Sequence, residues 1–270
     1  MRDGNVLIQF AIGLIVSLAS SCIVTQELSV EEIASSCIVT QELSVEEILD
    51  NVEAVDVSSL TATVSYTRTD PILERKEIRT GKLLFRKVGT KKREAAILFD
   101  TLIIGRRREK NTKHYIFSGR WMAEVDHANK QFIKRELVAP GSEDIDPFEL
   151  GSGPIPLPIG QTKESVLTKF TVERIAIPKE GPLSKLSDTV VGLHLVPKTE
   201  DEWEYIDLFY DSVSWLPVGV RTVEDDGTKR VSRLTNIQVD ALSEDDSALL
   251  NIETPNPKEW SIDIRPWSTE

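Results

Sequence analysis

Cysteine is nearly absent from this chain, with two in 270 residues. Both, Cys22 and Cys37, sit in identical copies of the phrase ASSCIVTQELSVEEI, which runs from Ala19 to Ile33 and again from Ala34 to Ile48. The two could pair in an oxidising compartment, but there is no disulfide framework to hold a loop-rich scaffold. Histidine is as scarce. His114, His127 and His194 have no metal-ligand spacing and no neighbouring cysteine, which argues against a zinc site. His194 lies in an alternating stretch and reads as structural. There is no G-x-S-x-G, no H-E-x-x-H and no P-loop, so a catalytic reading has no residues to rest on. The expectation is a protein that is not an enzyme and needs no cofactor or metal. Glu143, Asp144, Asp146 and Glu149 lack EF-hand spacing because Pro147 intervenes and the turn glycine is missing, so they read as a solvated acidic loop.

Positive charge is also in deficit. Lys and Arg number 32 against 44 Asp and Glu, a net charge of -12, and this balance argues against a nucleic-acid partner. The basic clusters Lys91-Lys92-Arg93 and Arg106-Arg107-Arg108 are read as solvated turns with the option of touching anionic headgroups. The uncharged apolar run Val6–Leu18 is thirteen residues, short of the roughly 20 that a membrane-spanning helix requires.

That run fits the apolar core of an export signal, and Ala19-Ser20-Ser21 supplies small residues for cleavage. A buried N-terminal helix is the other reading of the same run. Leu18-Ala19-Ser20-Ser21-Cys22 is also similar to a bacterial lipobox, in which Cys22 would be lipidated. Cys37 has no such option, because Glu27, Glu31 and Glu32 precede it. Two copies with no third make no solenoid; identity at every position reads as a tolerated duplication. Each copy ends in a capping box, Ser29 with Glu32 and Ser44 with Glu47. The second leads into a helix with Leu43, Ile48, Val52 and Val55 on one face. The expected organisation is a signal over 1–21, a flexible duplicated leader over 22–42, and a single domain over 43–270.

Within that domain period two dominates. Alternation marks strands at Leu60–Tyr66, Gly81–Arg86, Glu94–Asp100, His114–Phe117, Trp121–Val125, Gln131–Leu137, Phe170–Ile177, Val190–Val196, Glu204–Tyr210, Val213–Val223 and Arg230–Val239. Helical pattern is confined to the start, Thr162–Lys169 and Glu244–Leu249. Between Pro140 and Gly160 lies a Pro/Gly-rich loop, long enough to be functional or disordered. Its apolar residues Phe148, Ile155, Leu157 and Ile159 favour docking. The expected fold class is mainly β and antiparallel.

In combination these stretches resemble the LolA family of periplasmic lipoprotein carriers. Val57–Ala62 and Gly81–Lys87 look like the family's first two strands. Phe117-Ser118-Gly119-Arg120-Trp121 with Val125-Asp126 and Lys130-Gln131 looks like its hairpin. Leu195-Val196-Pro197-Lys198 and Glu253-Thr254-Pro255 with Trp260 look like its later segments. The wording RTGKLLFRK and KQFIKREL is most similar to a planctomycete-type branch. The resemblance implies an incomplete antiparallel β-barrel, a strongly curved sheet covered by short helices as in LolA and LolB, around an apolar cavity for acyl chains. Leu60, Val64, Tyr66, Leu83, Phe85, Ile97 and Phe99 are the cavity candidates, with core filling the competing role of each. Lys87 falls where the family places a basic residue that holds or gates the helical lid, although Val88 stands where the family has proline.

The implied function is carriage without chemistry. A monomeric periplasmic protein would take acylated lipoproteins from an inner-membrane ATP-driven releasing complex and deliver them to an outer-membrane acceptor. Three other readings stand beside it: a protein anchored through Cys22, acting as acceptor or lipid binder; an RseB-like envelope-stress sensor; and a structural β domain with a filled core.

Overall fold

The alternation of apolar and polar residues becomes one twelve-stranded sheet. The structure, a computed structural model, describes residues 42–268 apart from 74, 90–91, 143–145, 149, 151–158 and 160. The expected signal, Cys22, Cys37, Ile155 and Leu157 lie outside the described residues, as do Glu143, Asp144 and Glu149. Residues Leu43–Glu270 form one compact unit.

The strands are β1 (Ser59–Thr69), β2 (Lys76–Val88), β3 (Lys92–Ile104), β4 (Arg107–Ser118), β5 (Trp121–Asp126), β6 (Gln131–Glu136), β7 (Phe170–Ile175), β8 (Val190–Pro197), β9 (Trp203–Asp211), β10 (Pro217–Glu224), β11 (Lys229–Val239) and β12 (Ser261–Arg265). Their order across the sheet is β12-β6-β5-β4-β3-β2-β1-β11-β10-β9-β8-β7. The sheet does not close into a barrel, since β12 and β7 are its two free edges. Every pairing is antiparallel except β12 with β6.

Each face carries its own apolar cluster. One face gathers Leu60, Ala62 and Val64 from β1, Leu83 and Phe85 from β2, Ala95 and Phe99 from β3, and Leu193, Ile206, Leu208 and Val220 from the far half. The other face holds Leu84, Ala96, Leu98, Ile116 and Phe132. Neighbouring residues such as Leu83 and Leu84 go to opposite clusters, as the two-residue period requires.

Short helices cap the first face. In α1 (Val45–Glu53), Ser44 and Glu47 form the expected capping box: the Ser44 hydroxyl accepts the Glu47 amide at 3.2 Å, and the Glu47 carboxylate accepts the Ser44 amide at 2.8 Å. Ile48 and Val52 are buried as their spacing predicts, and Leu49 joins them, while Leu43 and Val55 pack at the margin. In α2 (Lys163–Lys169) the Thr162 hydroxyl accepts the Ser165 amide, and Val166 enters the same cluster. The helices are tied together. The Lys163 ammonium donates to Asp50 at 2.9 Å, and the Lys163 amide donates to the Glu53 carboxylate at 3.0 Å. A third helix, α3 (Glu244–Ala248), belongs to the C-terminal strap, which sends Leu250, Ile252 and Trp260 onto the opposite face and ends as β12.

Four expectations need correction. The strand placed at Val213–Val223 begins only at Pro217, because Asp211 turns the chain: its carboxylate accepts the Ser214 amide at 2.9 Å, and its carbonyl accepts the Trp215 amide at 2.7 Å. Val213 is left exposed at that turn. Lys92 and Arg93 belong to β3, and Arg107 and Arg108 to β4, so neither cluster is only a turn. Strands β2 and β4 extend well beyond the alternating stretches, and their outer halves are charged because they project past the core. Strand β12 is an addition to the expected strands: Ile262 and Ile264 alternate with polar residues, but the element is short and largely exposed.

Candidate binding cavity

Residues from distant strands meet over the first face. Met122 on β5 and Trp203 on β9 line one cavity, yet seven inter-strand steps separate their strands. A flat sheet would put them roughly 34 Å apart at about 4.8 Å per step. The sheet therefore curls, and its first face is concave.

The curl leaves a cavity of about 500 Å³ over the concave face. Its apolar wall is Val64, Leu83, Ile97, Phe99, Phe117, Met122, Trp203 and Val220, with Tyr66 and Tyr115 adding phenol edges. The rim is charged: Arg68, Glu77, Arg79, Glu202, Glu224 and Arg230. Such a volume lies within the roughly 300–1,000 Å³ of small-molecule sites, which share this pattern of apolar wall and few polar groups.

Local structure explains the wall. Gly81 on β2 pairs with Val64 and Phe99, at an irregularity between Thr80 and Gly81. A Cβ there would fall 2.0 Å from the Leu98 carbonyl oxygen, so only glycine fits. Without a side chain at that point, the rings of Tyr66 and Phe99 approach to 5.8 Å, and Phe99 meets Tyr115 edge-on at 6.2 Å. Burial raises the Tyr66 and Tyr115 phenols above their ordinary value, so both stay protonated hydroxyls at neutral pH.

Five of the seven sequence candidates, Val64, Tyr66, Leu83, Ile97 and Phe99, line the cavity. Leu60 and Phe85 do not. They pair directly across β1 and β2 and are 0% and 1% exposed. The chain closes that end of the concave face, with Phe148 packed edge-on against Phe85 at 5.2 Å.

The loop bearing Phe148 is fastened from below. The Arg93 guanidinium donates to Asp146 at 2.8 Å and to the Ile159 carbonyl at 2.6 Å. Phe148, Leu150 and Ile159 are buried in the concave cluster, so this part of the Pro/Gly-rich segment is docked. The reading of Arg93 and Asp146 as solvated charges is thereby overturned; each finds its partner on the other segment. Lys87 reaches Asp56, which follows α1, at 2.9 Å. Asp56 is 82% exposed, and a pair so wet contributes little to stability.

Beyond the candidate list, the cavity also uses Phe117 and Tyr115, which alternate within a recognised strand, and Met122, Trp203 and Val220 from strands remote in sequence. The rim charges carry no sequence signal, since strand ends are brought together only by the curl. The histidines stay out of the cavity. His194 Nδ1 lies 2.6 Å from the fully buried Asp207, whose other oxygen is held by Arg221. The His114 and His127 rings meet edge-on at 4.7 Å, and burial pushes His114 down to about 4.

Neither a family model nor a curated protein sequence matches this chain. Among solved structures it is similar to an uncharacterized conserved protein from Thermus thermophilus, at 12% identity and TM-score 0.42, covering 83% of this chain and 100% of that one. It is similar to MucB in the Pseudomonas aeruginosa MucA/MucB complex, at 13% identity and TM-score 0.40, over 76% of this chain and 60% of that one. It is similar also to a LolA superfamily protein from Nitrosomonas europaea, at 9% identity and TM-score 0.31, over 75% and 96%. Function is therefore read from the cavity itself.

Proposed function

We propose that this protein is a periplasmic carrier that binds acyl chains of lipoproteins in the concave cavity and moves them from inner to outer membrane. The observation that carries this reading is the cavity wall: an apolar volume of about 500 Å³ left unfilled beside a closed core. A β domain built only for stability fills its concave face to close packing. Here α1, α2 and Phe148 fill one end, and the other is open to an apolar guest.

Each methylene moved from water into such a wall stabilises the complex by about 0.8 kcal/mol. A fully buried long chain would then be slow to leave. Delivery requires that the grip be partial or that the helical cover shift, and Lys87 with Asp56 and Lys163 with Asp50 are the ties that such a movement would break. Loading energy would come from the inner-membrane complex, since this chain carries no catalytic motif to supply it. Export through the Val6–Leu18 signal gives the location, and the state of Cys22 decides between a soluble carrier and an anchored protein of the same cavity.

The experiment is native mass spectrometry of the protein purified from its own envelope, with the intact mass of its mature N-terminus. The reading expects a co-purified acylated species and a chain beginning at Cys22 without added mass. A diacylglyceryl mass on Cys22 would turn the carrier into an anchored acceptor. Absence of any acyl ligand, together with no binding of a fluorescent acyl probe by delipidated protein, would overturn the cavity reading.

A further inference from the structure

Three hairpin turns stand together at the charged end of the cavity. The last pairs of their strands are Thr69 with Lys76 in β1–β2, Ile104 with Arg107 in β3–β4, and Val223 with Lys229 in β10–β11. Strand pairing holds these ends level, since Glu77 pairs with Ile104 and Thr69 with Lys229. The rim residues Arg68, Glu77, Arg79, Glu224 and Arg230 lie within a few positions of the turns, so the turns and the mouth belong to one end of the sheet.

The β1–β2 turn holds two aliphatic side chains in solvent. The Asp70 carboxylate accepts the amides of Ile72 and Leu73, both at 2.9 Å, and the Asp70 amide donates to the Arg75 carbonyl at 3.0 Å. Pro71 braces the loop against the β10–β11 turn, where a Cβ on Gly227 would lie 3.4 Å from the Pro71 Cβ. On this fixed backbone Ile72 is 88% exposed and Leu73 68%. Neither lines the cavity or joins an apolar cluster. An adjacent aliphatic pair left in water on a turn so well held suits a surface that covers it from outside.

Charge identifies that surface. Residues 70–76 and 105–110 carry Arg75, Lys76, Arg106, Arg107, Arg108 and Lys110 against Asp70, Glu74 and Glu109, an excess of three positive charges in a chain of net charge -12. Asp70 is occupied by the turn amides, and Glu109 by Arg107 at 2.6 Å. All six cations are exposed. The β10–β11 turn carries Asp225 and Asp226, so contact with an anionic partner falls to the other two turns.

We propose that the β1–β2 and β3–β4 turns dock the protein, mouth first, on a bilayer surface bearing anionic phospholipid. Ile72 and Leu73 enter the headgroup boundary, and Arg106, Arg107 and Arg108 lie on the phosphates. Aliphatic side chains and clustered cations together hold peripheral proteins on such a surface. The proposal goes beyond the reading of the cavity and does not depend on what the cavity holds.

The test is co-sedimentation of the protein, purified from its own envelope and delipidated, with vesicles of phosphatidylcholine alone or of equal parts phosphatidylcholine and phosphatidylglycerol. Binding should favour the anionic vesicles by at least about tenfold and fall toward the neutral level in high salt. Ile72→Ser with Leu73→Ser should weaken it by about tenfold or more, with an unchanged melting curve because both side chains already sit in water. Arg106→Gln with Arg108→Gln should remove the preference for phosphatidylglycerol. Val213→Ser removes a comparably exposed aliphatic, at 80%, from the turn at the opposite ends of β9 and β10, and should change nothing. Variants that share one N-terminus cancel whatever Cys22 contributes. Acyl-probe binding in solution should be the same in all of them, so this proposal and the cavity reading fail separately. No vesicle binding by the parent, or equal binding by the parent and the Ile72/Leu73 variant, would overturn the docking surface. Equal affinity for neutral and anionic vesicles, or a preference that survives Arg106→Gln with Arg108→Gln, would overturn the anionic assignment.

Discussion

Tyr66 and Phe99 touch although a whole strand lies between them. Their ring centroids are 5.8 Å apart, while β1 and β3 stand two strand spacings apart, about 9–10 Å. The contact is possible because Gly81, the partner of Phe99 on the intervening strand, contributes no side chain. Gly81→Ala would drive a methyl to 2.0 Å from the Leu98 carbonyl oxygen and 2.7 Å from the Phe99 Cα, both backbone atoms that cannot rotate away. The expected loss is about 1–3 kcal/mol, as for other overpacked sites. A melting curve should fall by roughly 2–4 °C per kcal/mol. An unchanged midpoint would show that β2 accommodates a side chain there and that the cavity wall is not built on its absence.

The docking of the Pro/Gly-rich segment is open to a local test. Phe148 donates its amide to Asp146 at 3.0 Å, and Asp146 is in turn held by Arg93. Arg93→Met keeps the aliphatic stem and deletes the donors, leaving the Ile159 carbonyl without that bond. The cost should be about 1–3 kcal/mol, the range for hydrogen bonds from charged groups. Hydrogen exchange at the Phe148 amide should quicken more than exchange in β9 and β10. Uniform acceleration everywhere would mean that Arg93 supports global stability and has no special hold on the loop.

The fold was legible where burial is one-sided and illegible where it is not. Leu60–Tyr66 alternates because one face of that strand meets the concave core. The outer halves of β2 and β4 carry Lys76, Glu77, Arg107 and Arg108, side chains that alternate in direction without alternating in polarity. Nothing in such a stretch records which face is dry. Cavity and core are likewise written in the same residues: Phe85 and Phe99 have equal hydrophobicity and equal parity on neighbouring strands. What separates them is Phe148, from a loop more than forty residues away in sequence. Arg68 and Arg230 meet at the rim through pairing of strands far apart in the chain, and no local pattern announces it.

Acid should weaken the fold through Glu94. Burial alone would raise its carboxyl, but hydrogen bonds from Arg86, Lys92 and Ser118 outweigh that and hold it below the usual glutamate value. A carboxyl lowered in the folded state contributes stability that is fully present above its unfolded value, about 4.3, and is lost as pH falls through the folded one. Glu94→Gln should therefore cost about 1–3 kcal/mol at pH 7. The gap between the two melting points should narrow steadily below pH 4. A gap constant from pH 7 to pH 3 would place the effect in packing and not in the charge.

The same substitution at two concave positions should give opposite results. Phe85 is 1% exposed, opposite Leu60 and under the Phe148 ring, with no route for water. A carboxylate there is unpaired and buried, and Phe85→Glu should cost several kcal/mol, about 3–5, enough to unfold much of the population. Ile97 pairs with Leu83 and Tyr115 across its neighbouring strands, and it is half-buried against the open volume. A glutamate at that point can keep water beside it, which removes most of the desolvation cost. Ile97→Glu should stay folded by circular dichroism and lose binding of a fluorescent acyl probe, because the chain would have to lie against a charge. Unfolding of both variants would mean that the cavity is sealed in solution. Retention of full probe binding by folded Ile97→Glu would mean that acyl chains bind somewhere other than this wall.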